Sequence, residues 1–315
     1  MSGPATVVGR DREQAAVADF LDSLPLGPSS LLLEGEAGIG KTTLWEAGVT
    51  GAASREYLVL SSRPAESEAT LAFAALGDLL GGVRDQVLPR LPPPQRRALE
   101  VALLIADAMG RPPDQTAVCV AFLGVIRQLS VSGPVVIAID DLQWLDRPSA
   151  VALEFALRRL ATEPVGLLAS VRIQAQGQVT SWAVAGPSAG RVRHLRVGRL
   201  TFAALEVVIR QRGGARFSRL LIRRLFDAAD GSPFFGLELA RALDRLGTQP
   251  TPDEPLPVPA DPQGVLNARL AVFSDDVRFA DRCGRGCGGG RRRPGPVQSP
   301  VALVGDLFRR VARAA

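Results

Sequence analysis

Between Gly35 and Thr42 the chain reads GEAGIGKT, so Gly35, Gly38, Gly40, Lys41 and Thr42 meet the pattern GxxxxGK[ST]. Each residue type suits one part of holding a phosphate chain. Glycines let a loop wrap closely with its N–H groups turned inward, lysine supplies a compact cation for the β- and γ-phosphates, and the adjoining hydroxyl can ligate Mg²⁺. The apolar run Leu31 to Leu33 enters the loop and TTLWEA leaves it, so a strand precedes the glycines and a helix follows with its positive end toward the anion. Gly35, Gly38, Ile39, Gly40, Lys41, Thr42 and Thr43 form the expected cofactor-binding set. The bland alternative is a glycine-rich strand-to-helix turn that holds nothing, and the flanking strand and helix weigh against it. Lysine and arginine together number 37, and Lys41 is the one lysine among them. An arginine-rich composition that keeps its lysine here fits a site where a flexible ammonium suits phosphate better than a planar fork.

A second constellation lies in PVVIAIDDLQWLD, residues 134 to 146, where five apolar residues run straight into Asp140 and Asp141. Ligands of α/β sheets gather at the carboxyl ends of the strands, which sets these acids beside the phosphate loop. Asp140 is then expected to hold Mg²⁺ together with Thr42, and Asp141 to orient an attacking water. The competing account is a strand followed by an acidic turn and a helix cap at Asp146 and Pro148. VGLLASVR, residues 165 to 172, brings Arg172 to the same sheet edge, either as a γ-phosphate sensor or as a solvated arginine after a strand.

Several elements must position these groups. VVGRDREQAAVADFLDSL predicts a short apolar lead and an amphipathic helix, with Gly9 and Arg10 at its start; such a lead packs beside a base or is a plain first helix. Tyr57–Ser62 predicts a buried strand beside the first. RPAESEATLAFAALGDLL predicts a helix in its second half carrying Leu71, Ala74, Ala75, Leu79 and Leu80, with Glu66 and Glu68 as solvated charges before it. Helices are predicted near Gln95 to Ala108 and Asp114 to Leu129, and Val192 to Val197 as a last strand holding His194, an edge histidine. From Thr201 onward helices dominate, at Thr201–Gln211, Phe217–Ala229 and Pro233–Leu246. The expected architecture is α/β: a three-layer P-loop NTPase core with a parallel sheet, its phosphate-loop strand central, over residues 1–200. A small helical lid follows at 201–248, with ATP and Mg²⁺ bridging sheet and lid.

Composition bounds what else the chain can be. At 315 residues with 46% hydrophobic content it can bury a sizeable core. No apolar run has the length of a membrane helix and the N-terminus lacks the apolar stretch of a signal peptide, so a cytoplasmic protein without membrane association is expected. Cys119, Cys283 and Cys287 make no disulfide framework, and with one histidine a four-ligand zinc site is disfavoured. The net charge is +5. Nine arginines against Asp281 and Asp306 from Arg278 onward account for all of that excess, leaving the main body slightly acidic. Residues 249–262 form a proline-rich linker, with six prolines between Pro250 and Pro262, and 263–277 a short helix. The segment 278–315 contains CGRGCGGGRRR, which cannot build a core; it reads as a solvated tail rather than a nucleic-acid arm, with Val301–Ala314 able to form one isolated helix.

Taken together, VGRDRE, GEAGIGKTTL, RPAESEATLAFAALGDLL, VVIAIDDLQWLD, LLASVR and GSPFFGLELARAL resemble the ATP-binding domain of large LuxR-type bacterial transcriptional regulators, within the STAND branch of the AAA-like ATPases. The resemblance covers about residues 5 to 275. It implies Gly9 and Arg10 near the adenine, Lys41 and Thr42 at phosphate and Mg²⁺, Asp140 at Mg²⁺, Arg172 at the sensor position and Pro233 under the base. It also implies an ATP-dependent switch that binds ATP or ADP and acts through self-association or a regulatory protein partner. Hydrolysis is expected to be slow, because Asp141 is one methylene shorter than the glutamate common in fast AAA motors. A freely turning-over AAA ATPase or nucleotidyl-transforming enzyme is the first rival, and an origin-recognition-like nucleic-acid-binding ATPase the second. The family continues into helical repeats and a DNA-binding helix-turn-helix, whereas here Gly- and Arg-rich sequence follows. That departure is the pattern expected of a truncated or frame-shifted product, without sequence-specific DNA binding.

Overall fold

A computed structural model of the chain describes residues 7–108, 110, 112–173, 192–212, 217–246 and 256. The expected linker apart from Leu256, the short helix at 263–277 and the tail at 278–315, with Cys283, Cys287 and the helix at Val301–Ala314, lie outside the described residues. The chain divides into two compact units. The first runs to Gly35, resumes from Lys41 to Ile173 and ends at Val197; the second takes residues 36–40 and those from Gly198 onward.

The first unit is built on a five-stranded parallel sheet in the order β2-β3-β4-β1-β5. Its strands are β1 Ser29–Gly35, β2 Leu58–Ser62, β3 Val135–Ile139, β4 Val165–Arg172 and β5 Val192–Arg196. Every residue of β3 is buried, as expected for a strand covered on both faces. On one face Leu32, Ile137, Ile139, Leu167 and Ala169 join a core with α5 (Pro93–Ala102), α6 (Gln115–Ser130) and α7 (Arg147–Leu157). The other face receives α1 (Asp11–Ser23) and α2 (Lys41–Ala53). There Gly48 lets α2 close onto the sheet, since a Cβ at that position would lie 2.5 Å from Leu168 Cδ2. Two shorter helices, α3 (Ala74–Leu80) and α4 (Arg84–Val87), follow β2. The result is the expected three-layer α/β fold.

Four local expectations change. β2 pairs with β3 instead of β1 and forms an edge, which suits its exposed Ser61 and half-buried Leu58 and Val59. β1 is interior between β4 and β5, but the middle place belongs to β4, eight residues long and buried through Val171. The helix expected over 95 to 108 stops at Ala102: Leu104 turns left-handed at φ +57°, and the N–H groups of Ile105 and Ala106 both close back onto Glu100 O. Leu71 likewise sits outside α3 and is exposed.

Helix ends follow local chemistry. Asp114 caps α6 by accepting from Ala117 N–H at 2.8 Å, and Pro148 in the first turn of α7 has no N–H to leave unpaired. Cys119 is buried in α6, and burial pushes its thiol pKa up.

The second unit contains α8 (Phe202–Arg212), α9 (Arg219–Ala229) and α10 (Pro233–Leu246), which pack pairwise around Leu205, Ile209, Ile222, Leu225, Ala240 and Leu243. Ser218 caps α9 through Leu221 N–H, and Asp230 ends it in the left-handed region.

Candidate nucleotide site

In the first unit, Gly35 closes β1 and Lys41 opens α2, while Thr42 is exposed in the first turn. Lys41 is only 6% exposed, and its Nζ donates to Gly35 O at 3.0 Å. An ammonium buried this deeply demands acceptors, and phosphate oxygens are stronger ones than a carbonyl. Thr43 continues α2, half buried.

Residues 36–40 belong to the second unit, and their backbone there is bent in a way that side chains would obstruct. Gly38 and Gly40 stand at φ +73° and +101°, in the region that favours glycine. A Cβ on Gly38 would come within 2.7 Å of Phe234 Cβ, and one on Gly40 would sit 3.8 Å from Pro233 Cγ. Gly38 O accepts from Phe234 N–H at 3.2 Å and, more weakly, from the Ser232 hydroxyl at 3.5 Å. Ile39 is buried, and its N–H returns to Glu36 O. Arg199 lies 3.8 Å from Glu36 and also pairs with Asp230. The GSPFF stretch is therefore in direct contact with the loop glycines.

At the carboxyl edge of the sheet, β3 and β4 are neighbours and deliver Asp140, Asp141, Ser170 and Arg172 together. Asp140 is 6% exposed and its Oδ1 accepts from the Ser170 hydroxyl at 2.5 Å. Asp141 adopts φ +57°, an uncommon backbone for a non-glycine residue, and its N–H donates to Ser170 Oγ at 2.8 Å. Asp141 Oδ1 accepts from Gln143 Nε2 at 2.8 Å and lies 3.5 Å from Arg172 Nε. Gln143 Oε1 accepts from Arg172 N–H, and the Arg172 guanidinium stands 5.8 Å from the Trp144 ring centre. Asp141 and Arg172 thus form one network. Sequence reasoning passed over Ser170 and Gln143; the signal for the first was a hydroxyl inside an otherwise apolar buried strand.

Elsewhere, Gly9 turns left-handed at φ +65° before α1, and buried Arg10 pairs with Glu13 at 2.9 Å. Glu68 accepts from Ala65 N–H and closes a turn. His194 on the edge strand pairs with Glu34, the residue before Gly35. Among the described residues no cluster of three or more His, Cys, Asp or Glu could hold a metal ion alone. A hydroxyl and one carboxylate instead suit Mg²⁺, which takes few protein ligands and completes its shell with phosphate oxygens and water. Within the first unit, Lys41, Thr42 and Asp140 are residue types that fit a phosphate chain with Mg²⁺.

Residues 6–169 match the family model of the AAA ATPase domain, just over half of the chain. The chain belongs to the AAA ATPase domain family. Among solved structures, the Walker-type ATPase PABY2304 of Pyrococcus abyssi is similar at 14% identity and a TM-score of 0.51, covering 88% of this chain and 76% of that one. The ORC1 protein of Aeropyrum pernix in complex with DNA is 16% identical with a TM-score of 0.46, over 98% of this chain and 78% of that one. AMPPCP-bound DnaA from Aquifex aeolicus is 15% identical with a TM-score of 0.43, over 77% and 63%. The first of these likenesses supports the fold of this AAA domain and nothing narrower. No curated protein matches the sequence significantly. No helix among the described residues is long and apolar enough to cross a membrane.

Proposed function

We propose that the chain is the ATP-binding switch module of a LuxR-type transcriptional regulator, in which slow hydrolysis gates a conformational change. The observation that carries the reading is the engagement of Asp141. The carboxylate expected to orient water is held by Gln143 and lies beside the Arg172 cation, on a left-handed backbone. A group so occupied must leave its partners before it can serve as a base, which suits a switch whose ATP state persists.

Each residue has a part in this scheme. Lys41 would exchange Gly35 O for the β- and γ-phosphate oxygens, and the N–H groups of the loop would receive the remaining phosphate charge. Thr42 and Asp140 would hold Mg²⁺, which when bound neutralises charge on the phosphates. Arg172 would leave Asp141 for a γ-phosphate. Gly9, Arg10 and Pro233 would border the adenine. Phe234 and Ser232 hold Gly38 O, so a loop that rearranges around phosphates would act directly on the start of α10. Two stretches that carry the LuxR-type resemblance also meet: Asp146 of DDLQWLD accepts the N–H groups of Phe73 and Ala75 in RPAESEATLAFAALGDLL.

The test is a titration of ATP and ADP with Mg²⁺, followed by single-turnover hydrolysis. Binding with hydrolysis well below about 1 s⁻¹ is expected, and a rate above that, within the ordinary enzyme range, would favour the motor rival. In this scheme Asp141→Glu quickens hydrolysis. The module would take ATP or ADP and a protein partner.

A further inference from the structure

Ser170 lies in β4 with no exposed surface, its neighbours in register being Leu33 of β1 on one side and the end of β3 on the other. Its hydroxyl donates to Asp140 Oδ1 at 2.5 Å and accepts from Asp141 N–H at 2.8 Å. One atom thereby sets two successive residues of the turn after β3. That turn needs holding, because Asp141 sits in a left-handed conformation that costs on the order of 1 kcal/mol for a non-glycine residue. The direction of the bonds is also settled. Asp141 N–H can only donate to Oγ, so the Ser170 proton is left for the carboxylate.

We propose that Ser170 is a positioning residue for the Mg²⁺-holding carboxylate: its hydroxyl fixes Asp140 so that Oδ1 is spent inside the sheet and Oδ2 is offered to the cation. Asp140 Oδ2 takes no hydrogen bond from any described residue. The hydroxyl of Ser170 cannot double as a sensor of the γ-phosphate, since it is enclosed and its one proton is already given to Asp140. Nor does Asp140 have a second side-chain partner among the described residues that would hold its rotamer if the hydroxyl were gone. A partner of this kind behind a metal ligand sets the metal affinity, commonly by about 10- to 100-fold. The inference rests on the nucleotide reading above.

The experiment measures ADP and ATP affinity by calorimetry, once with excess Mg²⁺ and once with EDTA, for the wild type, Ser170→Ala, Ser170→Cys and Asp140→Asn, with a melting curve for each. The expected result is a wild type whose affinity rises with Mg²⁺ and a Ser170→Ala variant whose affinity in EDTA is unchanged. Its gain from Mg²⁺ falls about tenfold, toward that of Asp140→Asn. Ser170→Cys, nearly the same size but a weak donor, should fall between. Equal Mg²⁺ gain in the wild type and Ser170→Ala overturns the proposal, as does an equal loss with and without Mg²⁺, or the failure of both Ser170 variants to fold. A wild type that binds no nucleotide overturns the underlying reading and this inference with it.

Discussion

Asp140 and Asp146 stand six residues apart, are both almost fully buried, and do different things. Asp146 Oδ1 accepts from Phe73 N–H at 2.8 Å and Ser149 N–H at 3.0 Å, and its Oδ2 from Ala75 N–H at 3.1 Å. Ser149 adds a bond from Leu76 N–H. Asp140 accepts a single side-chain bond, from Ser170. A carboxylate has about four lone-pair sites. When backbone donors from two segments occupy them the acid is a clamp, and when most remain open at the carboxyl edge of a sheet it keeps its capacity for a cation. The difference is in the partners, since type and burial are the same.

Breaking the clamp should have the largest effect. Asp146→Ala strands three buried N–H groups, each costing roughly 1–3 kcal/mol when unpaired, so a loss of at least about 3 kcal/mol in urea unfolding is expected. Phe73, at φ +63°, would lose the bond that holds it in that conformation. A loss under about 1 kcal/mol would mean that water replaces the carboxylate, and the contrast with Asp140 would fail.

Lys41→Ala comes next. It removes a charge-assisted contact worth about 1.5–3 kcal/mol, so ATP affinity should fall roughly 10- to 150-fold while the melting temperature changes little. Equal affinity in wild type and variant would refute the phosphate-binding role.

Asp140→Asn sharpens the comparison from the other side. Asparagine keeps an oxygen for the Ser170 hydroxyl, so stability should stay within about 1 kcal/mol of wild type. The dependence of ATP affinity on Mg²⁺ should disappear. A fold that collapses with this change would place Asp140 in the same structural class as Asp146.

Much of this was legible in the residues. Strand ends showed because apolar runs such as Val135–Ile139 stop abruptly at an acid, and the turn from β1 into α2 because its glycines mark a bend between an apolar run and a helix. Strand order was not, since β2 and β1 are similar apolar runs and nothing local says which neighbour each takes. Hydrogen-bond partners were hidden for the same reason. Asp146 reads as a helix cap, which it is, yet two of its three bonds reach back 71 and 73 residues. Ser170 and Gln143 look unremarkable until β4 is laid beside β3.

Glu163 gives the smallest and most selective test, because it is a clamp of the Asp146 kind at the amino end of β4, away from the carboxyl edge of the sheet. Burial alone would raise its pKa. The opposing bonds are stronger: Ala161 and Thr162 N–H groups donate to Oε2, Arg127 Nε lies 2.8 Å from Oε1, and the carboxyl is held down at about 2. A folded-state pKa below the unfolded value means that stability from this group is complete above pH ~4.5 and is lost as pH falls toward 2. Arg127 is half exposed and the pair is screened, so Glu163→Gln should cost about 1 kcal/mol or less at pH 7. The informative quantity is the gap between wild type and Glu163→Gln in urea midpoint at pH 7, 4.5 and 3, since other titrating acids cancel in the difference. The gap should be widest at pH 7 and narrow steadily below pH 4.5. If it stays constant with pH, glutamine fails through shape rather than charge, and the carboxylate at this edge is not held by its ionised form.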